Sequence, residues 1–252
     1  MRRVTIRPPA DRILARVAPA LLQIGVEAAL MIGGGTALAA RWNHRRSTDI
    51  DMVMAPESFR TAAAPLARLL KEVPGAQIRQ GRGWLNGILP EGDVSITTAE
   101  ALLADDGPLD RESVFGLALE PTAQILARKL QYRMWGNGEF VARDLYDLCS
   151  GAVRNPHAVE RALGVLDPYA RTALADEIAR LGPRVAQMGR ALTAVDQPEW
   201  LVDLGGRTAR LIAEGAHPIP PSAPRIASTA ERKEPVPPPA DPDPNDSPSP
   251  SF

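Results

Sequence analysis

With 252 residues, 44% of them hydrophobic, the chain is long enough to bury a substantial core as one large domain or two modest ones. Its formal net charge of −1 excludes steering of a polyanion by the molecule as a whole, so a nucleic-acid contact would need a local basic patch. A single cysteine, Cys149, excludes an internal disulfide and a cysteine-rich zinc site, and no apolar run approaches the ~18 residues a membrane span needs.

The basic start Met1-Arg2-Arg3 is not followed by the apolar core of a secretion signal, because Asp11, Arg12 and Arg16 interrupt it. A cytoplasmic protein with no membrane partner is therefore expected. Among the basic residues only Lys71, Lys129 and Lys233 are lysines, so arginine richness carries little weight and a retained lysine carries more.

In chain order, residues Asp11 to Val26 have helical apolar spacing, with Pro19 placed to kink or divide the helix. Ala29 to Ile32 is a short apolar run ending at glycines and reads as a buried strand; Thr36 to Trp42 resumes helical composition. Asp49 to Met54 reads as a second strand, with Ile50, Met52 and Met54 on one face and Asp49, Asp51 and Val53 on the other. Pro56 to Lys71 is an amphipathic helix with proline in its first turn. Strands are expected at Ala76–Gln80, Trp84–Leu89, Val94–Thr98 and Val114–Leu119. From Pro121 the periodicity is helical, with segments at Thr122–Trp135, Phe140–Ser150, Ala158–Leu166, Tyr169–Leu181, Arg184–Ala194 and Glu199–Glu214. The expected organisation is an α/β domain over residues 1–120, a helical domain over 121–216 and a cleft between them. Residues 217–252 hold about half of the 25 prolines and few apolar residues, so a disordered Pro-rich tail is expected there.

Two motifs carry chemistry. Gly33-Gly34-Gly35-Thr36 joins an apolar run to a helix start, where successive backbone N–H groups can cradle phosphate oxygens; the same turn also serves as a plain strand-to-helix connection capped by Thr36. Asp49-Ile50-Asp51 places two carboxylates on one face of an otherwise apolar strand, a costly arrangement unless the face meets solvent or a hard cation such as Mg²⁺. The loop His44-Arg45-Arg46-Ser47 precedes them, either as phosphate or acceptor contacts or as a solvated basic turn. Trp42, Trp84 and Trp135 are scattered and read as core residues.

The string Gly34-Gly35-Thr36-Ala37-Leu38, then His44 to Asp51, then Lys129 with Arg133, then Arg143-Asp144-Leu145-Tyr146-Asp147-Leu148, resembles the AbiEii/AbiGii nucleotidyltransferase toxins of the polymerase-β-like superfamily. The resemblance implies an α+β fold, with a mixed-sheet lobe followed by a helical lobe, and transfer of a nucleotide from an NTP. It implies that Asp49 and Asp51 hold Mg²⁺ in a two-metal scheme, with Asp93 the candidate third carboxylate. It implies further that Gly34, Gly35 and Thr36 cradle phosphates, that Arg45 and Ser47 assist, and that Lys129 neutralises triphosphate charge. Asp144 would serve as base or orienter, and Asp147 as a structural partner. A tRNA acceptor end and a cognate antitoxin protein are the implied partners. A small-molecule or protein acceptor, or a non-catalytic binding protein of the same fold, are the alternatives.

Overall fold

The computed structural model describes residues 2–26, 29–104, 112–189 and 191–216. Its frame is an eight-stranded mixed sheet. The strands are β1 (Arg2–Arg3), β2 (Leu30–Ile32), β3 (Ile50–Met54), β4 (Gln77–Gly81), β5 (Trp84–Leu89), β6 (Gly92–Thr98), β7 (Glu112–Val114) and β8 (Leu117–Leu119). They lie in the order β1-β7-β8-β2-β3-β6-β5-β4. Helices α1 (Ala10–Gln23), α2 (Gly34–Trp42) and α3 (Pro56–Glu72) are interleaved with the strands. After the sheet come α4 (Thr122–Arg128), α5 (Ala142–Arg154), α6 (Pro156–Leu163), α7 (Pro168–Leu181) and α8 (Leu204–Glu214).

Strand β3 sits inside the sheet, paired with β2 on one side and β6 on the other. Ile50, Met52 and Met54 are buried, while on the opposite face Asp51 is exposed and Val53 is buried as well. β3 runs parallel to β6 with Asp51 opposite Ser95 and Val53 opposite Thr97. The antiparallel β6–β5 and β5–β4 pairs carry these rows outward, through Asn86 to Arg79 and through Trp84 to Gly81. The alternate residues Val94, Ile96, Leu85 and Leu89 are buried on the other face. Gly87 on that face approaches Leu70 of α3, and Gly92 approaches Ile13 of α1. One hydrophobic cluster runs without interruption from Ala10 in α1 to Ala216 beyond α8, joining sheet and helices.

Several local expectations are revised. Pro19 removes one amide from the α1 ladder without dividing the helix. Val114–Leu119 is not one strand but the hairpin β7–β8, turned at Phe115 (φ 50°) and Gly116 (φ 84°). The helix expected over Arg184–Ala194 is a short tight-wound stretch at Gly182–Gln187, because Gly182 and Gly189 both take positive φ and break the periodicity. Past Arg128 the chain does not stay α-helical: Lys129–Gly136 widens to a helix with i→i+5 bonding. Trp84 and Trp135 are 37% and 39% exposed, so neither is a core residue. Among the described residues no helix is long and apolar enough to cross a membrane. The expected disordered tail, residues 217–252, lies outside the described residues.

Candidate active site

The β2–α2 turn and β3 face the Lys129 helix across a cavity of about 290 Å³. Gly34, Gly35, Arg45, Ser47, Asp49, Asp51 and Lys129 all line it, so seven of the residues singled out in the sequence converge. The glycines are needed for this approach. Gly34 has φ +57°, and a Cβ there would stand 2.4 Å from the Asp51 carboxylate; a Cβ on Gly35 would stand 2.1 Å from the Arg45 guanidinium. α2 begins at Gly34 with no side-chain cap, which leaves its first amides unclaimed by a neighbouring side chain. Thr36 does not reach the cavity. It is fully buried, its hydroxyl shared with Ser47 Oγ (2.7 Å) and donated to the Asp49 carbonyl, tying α2 to the start of β3.

Ser95 Oγ donates to Asp51 Oδ1 (2.8 Å), so a serine rather than a carboxylate stands beside Asp51. Asp93, two residues earlier on β6, is exposed and lines a neighbouring cavity of about 510 Å³, which shares Arg45, Ser47, Asp49 and Arg143 with the first. Among the described residues no group of three or more His, Cys, Asp or Glu side chains is gathered for a metal. The donor set at hand is the Asp51 carboxylate on β3 and the Asp49 carboxylate just before it, with the Ser95 hydroxyl next to Asp51. These hard oxygens fit Mg²⁺, while the cations that also line the cleft fit an anionic ligand.

The opposite wall is ordered by two buried aspartates of α5. Asp144 pairs with Lys129 Nζ and with Arg133 Nη1 (2.9 Å). Asp147 receives two bonds from Arg45 (2.6 and 2.8 Å), meets His44 Nε2 at 2.7 Å and stands 3.1 Å from Lys129 Nζ. His44 and Arg45 are therefore buried rather than parts of a solvated turn. Burial works against the Asp147 charge, but the Arg45 and Lys129 charges hold its carboxyl well below the usual carboxylate range. Burial also pushes His44 below its ordinary value of 6.5, against the pull of Asp147, so the imidazole is neutral at pH 7 and donates from Nε2. Burial opposes the Arg45 charge as well, yet Asp147 keeps that guanidinium charged above its usual value.

A fourth cation, Arg143, reaches to 4.0 Å from Asp49 Oδ2. The sequence reading missed Glu120 and Arg128, which line the cavity as an ion pair, and Ser95 and Tyr132 on its walls. Glu120 had a usable signal, a carboxylate ending an apolar run. Ser95 had none, since its place beside Asp51 depends on the β3–β6 register.

No protein-family profile and no curated protein matches the chain. Solved structures do. A protein from H. pylori assigned as a nucleotidyltransferase aligns over 81% of this chain and 93% of its own, at 16% identity and TM-score 0.50. The antibiotic-resistance factor ANT(2'')-Ia aligns over 68% of this chain and 94% of its own, at 16% identity and TM-score 0.47. Terminal uridylyl transferase 4 from Trypanosoma brucei aligns over 56% and 48%, at 13% identity and TM-score 0.32. The chain thus has the α+β nucleotidyltransferase fold, by its likeness to the first of these.

Proposed function

We propose that the chain is a nucleotidyltransferase that moves a nucleotidyl group from an NTP to an acceptor hydroxyl. The observation that carries this reading is the convergence, in one cavity, of the Gly34–Gly35 helix start, the Asp49–Asp51 pair and Lys129. The α2 amides and Lys129 receive the triphosphate oxygens, where compact positive charge is most effective. Asp49 and Asp51, with Asp93 as the proposed third carboxylate, would hold Mg²⁺, whose chemistry when bound is Lewis-acid polarisation of the phosphoryl oxygens. Asp144, with no exposed surface, orients Lys129 and Arg133 rather than touching substrate. Arg143, beside Asp49 and on the wall of both cavities, neutralises charge between donor and acceptor. Thr36 acts through Ser47 and the Asp49 carbonyl.

The resemblance of the Gly34–Asp51 and Arg143–Leu148 motifs to the AbiEii/AbiGii proteins supports a finer reading. On that reading the chain is the toxin of a toxin–antitoxin pair, the acceptor is a tRNA 3′ end and a separately encoded antitoxin restrains it in the cytoplasm. The test incubates the protein with each labelled NTP, Mg²⁺ and total tRNA. Wild type labels the RNA with at least one NTP, and Asp51→Ala lowers the rate by two or more orders of magnitude, as loss of a group acting in the transition state should. Indistinguishable labelling by the two proteins refutes transfer to this acceptor. A second reading, transfer to a small molecule, is supported by the near-neutral chain and by the size of the second cavity, about 510 Å³.

A further inference from the structure

The outer half of the sheet, β6–β5–β4, has its apolar face packed under α1 and α3, as described above. Its other face is the face of Asp51. Ser95 and Thr97 on β6 line the active-site cavity, and beyond them Asn86, Trp84 and Arg79 are exposed. Cross-strand partners share a face, so Asp51, Ser95, Asn86 and Arg79 form a single row. At ~4.8 Å per strand that row runs roughly 14 Å outward from the carboxylate. In the next row Gly81 stands opposite Trp84, and a Cβ on Gly81 would lie 2.4 Å from the indole Nε1. The missing side chain lets the indole spread over the β4 backbone while 37% of Trp84 stays open to solvent.

An aromatic plane, amide and hydroxyl groups and a guanidinium at the far end are the parts that hold an unpaired nucleic-acid strand. A protein partner fits less well, since on β4–β6 Trp84 is the one large apolar side chain among the described residues that is exposed, and only in part, whereas interface cores are richer in such groups. A second copy pairing on the β4 edge meets Arg79 and the turn residue Arg82, charges that blunt such edges.

We propose that this open face is the acceptor platform and takes the single-stranded end of an RNA. A base stacks on Trp84, Asn86 and Ser95 meet ribose hydroxyls, and Arg79 meets a phosphate, so that the terminal hydroxyl arrives at Asp49 and Asp51. The assignment rests on the nucleotidyl-transfer reading above, with an RNA acceptor, and adds the surface and the path by which that acceptor reaches the site. Because few cations face the platform, stacking rather than counterion release carries the affinity.

Fluorescence anisotropy with the full chain and a short labelled single-stranded RNA tests it. Trp84→Ala weakens RNA binding about five- to 150-fold, the range for loss of one stacked base. Trp84→Phe restores most of the affinity, Arg79→Glu weakens binding, and DNA of the same sequence binds less tightly. Mg²⁺-dependent NTP binding, measured by calorimetry, is unchanged in all three variants, since neither residue lines the donor cavity. Absence of RNA binding by the wild type, unchanged RNA affinity in Trp84→Ala, equal affinity for DNA, or variants that alter only self-association or a protein complex would each overturn the platform. Trp84-dependent RNA binding in a chain that neither binds NTP nor transfers nucleotide would uphold the platform and refute the transfer reading.

Discussion

Asp147, itself fully buried, holds three cationic or hydrogen-bonding partners: His44, Arg45 and Lys129. Its removal leaves the buried Arg45 guanidinium without its carboxylate partner and Lys129 with Asp144 alone, and breaking such a pair costs about 3–5 kcal/mol. Asp147→Asn is expected to lower the unfolding free energy from urea titration by about that amount, seen as a lower midpoint at an unchanged dependence on denaturant. The neighbouring His44 gives a separate signature. Its folded-state value lies below the unfolded 6.5, so the unfolded chain binds the proton more readily, and stability falls as pH drops below about 6.5. Asp147 adds to the loss only at lower pH, below about 3.8, as the chain is acidified toward its depressed folded value. Denaturation midpoints measured between pH 8 and 5 should therefore decline in the wild type and stay flatter in His44→Gln. A wild-type midpoint independent of pH over that range would refute the neutral, buried assignment of His44.

At the scale of elements, the loop between α2 and β3 is held from two sides. α5 supplies Asp147, and an extended segment before α8 clasps the loop backbone: Arg46 N–H donates to the Thr193 carbonyl and Asp196 N–H donates to the His44 carbonyl, each at 3.0 Å. Tyr146 of α5 braces that segment, donating to Asp196 (2.8 Å) and accepting from the Gln197 N–H (2.9 Å). Tyr146→Phe keeps the ring, which stacks on His44 at 5.8 Å, and loses both bonds. A cost of about 1–3 kcal/mol is expected. Amide exchange should quicken first at Arg46 and Asp196, before the core strands respond. None of this clasp was legible in the sequence. The β3 alternation and the glycine turn were, because each is a local pattern of period and φ. What locality cannot fix is register and long-range pairing, so Ser95 beside Asp51 and the burial of His44 against Asp147 emerged only with the fold. The helix expected across Arg184–Ala194 failed for the converse reason: apolar spacing suggested it, but two glycines at positive φ ended it.

For the whole molecule, the change from a strand-rich to a helical sequence near Pro121 suggested two lobes. The hydrophobic cluster runs through both halves, and the ionic wall ties the loop before β3 to α5. Thermal unfolding is therefore expected as one transition, with coincident midpoints by tryptophan fluorescence and far-UV circular dichroism. Two separated midpoints would mean that the halves hold together only through the polar contacts.

The clasp also bears on when the molecule becomes able to act. A ribosome delivers the carboxylate pair within the first quarter of the chain, yet the loop that presents them is closed by Asp147 and by the segment around Thr193 and Asp196. A nascent chain lacking those residues has the parts of the site without their arrangement. On the proposed function, a protein harmful to the cell that makes it would stay inert through most of its own synthesis, and whatever restrains it need only be present once the chain is nearly complete.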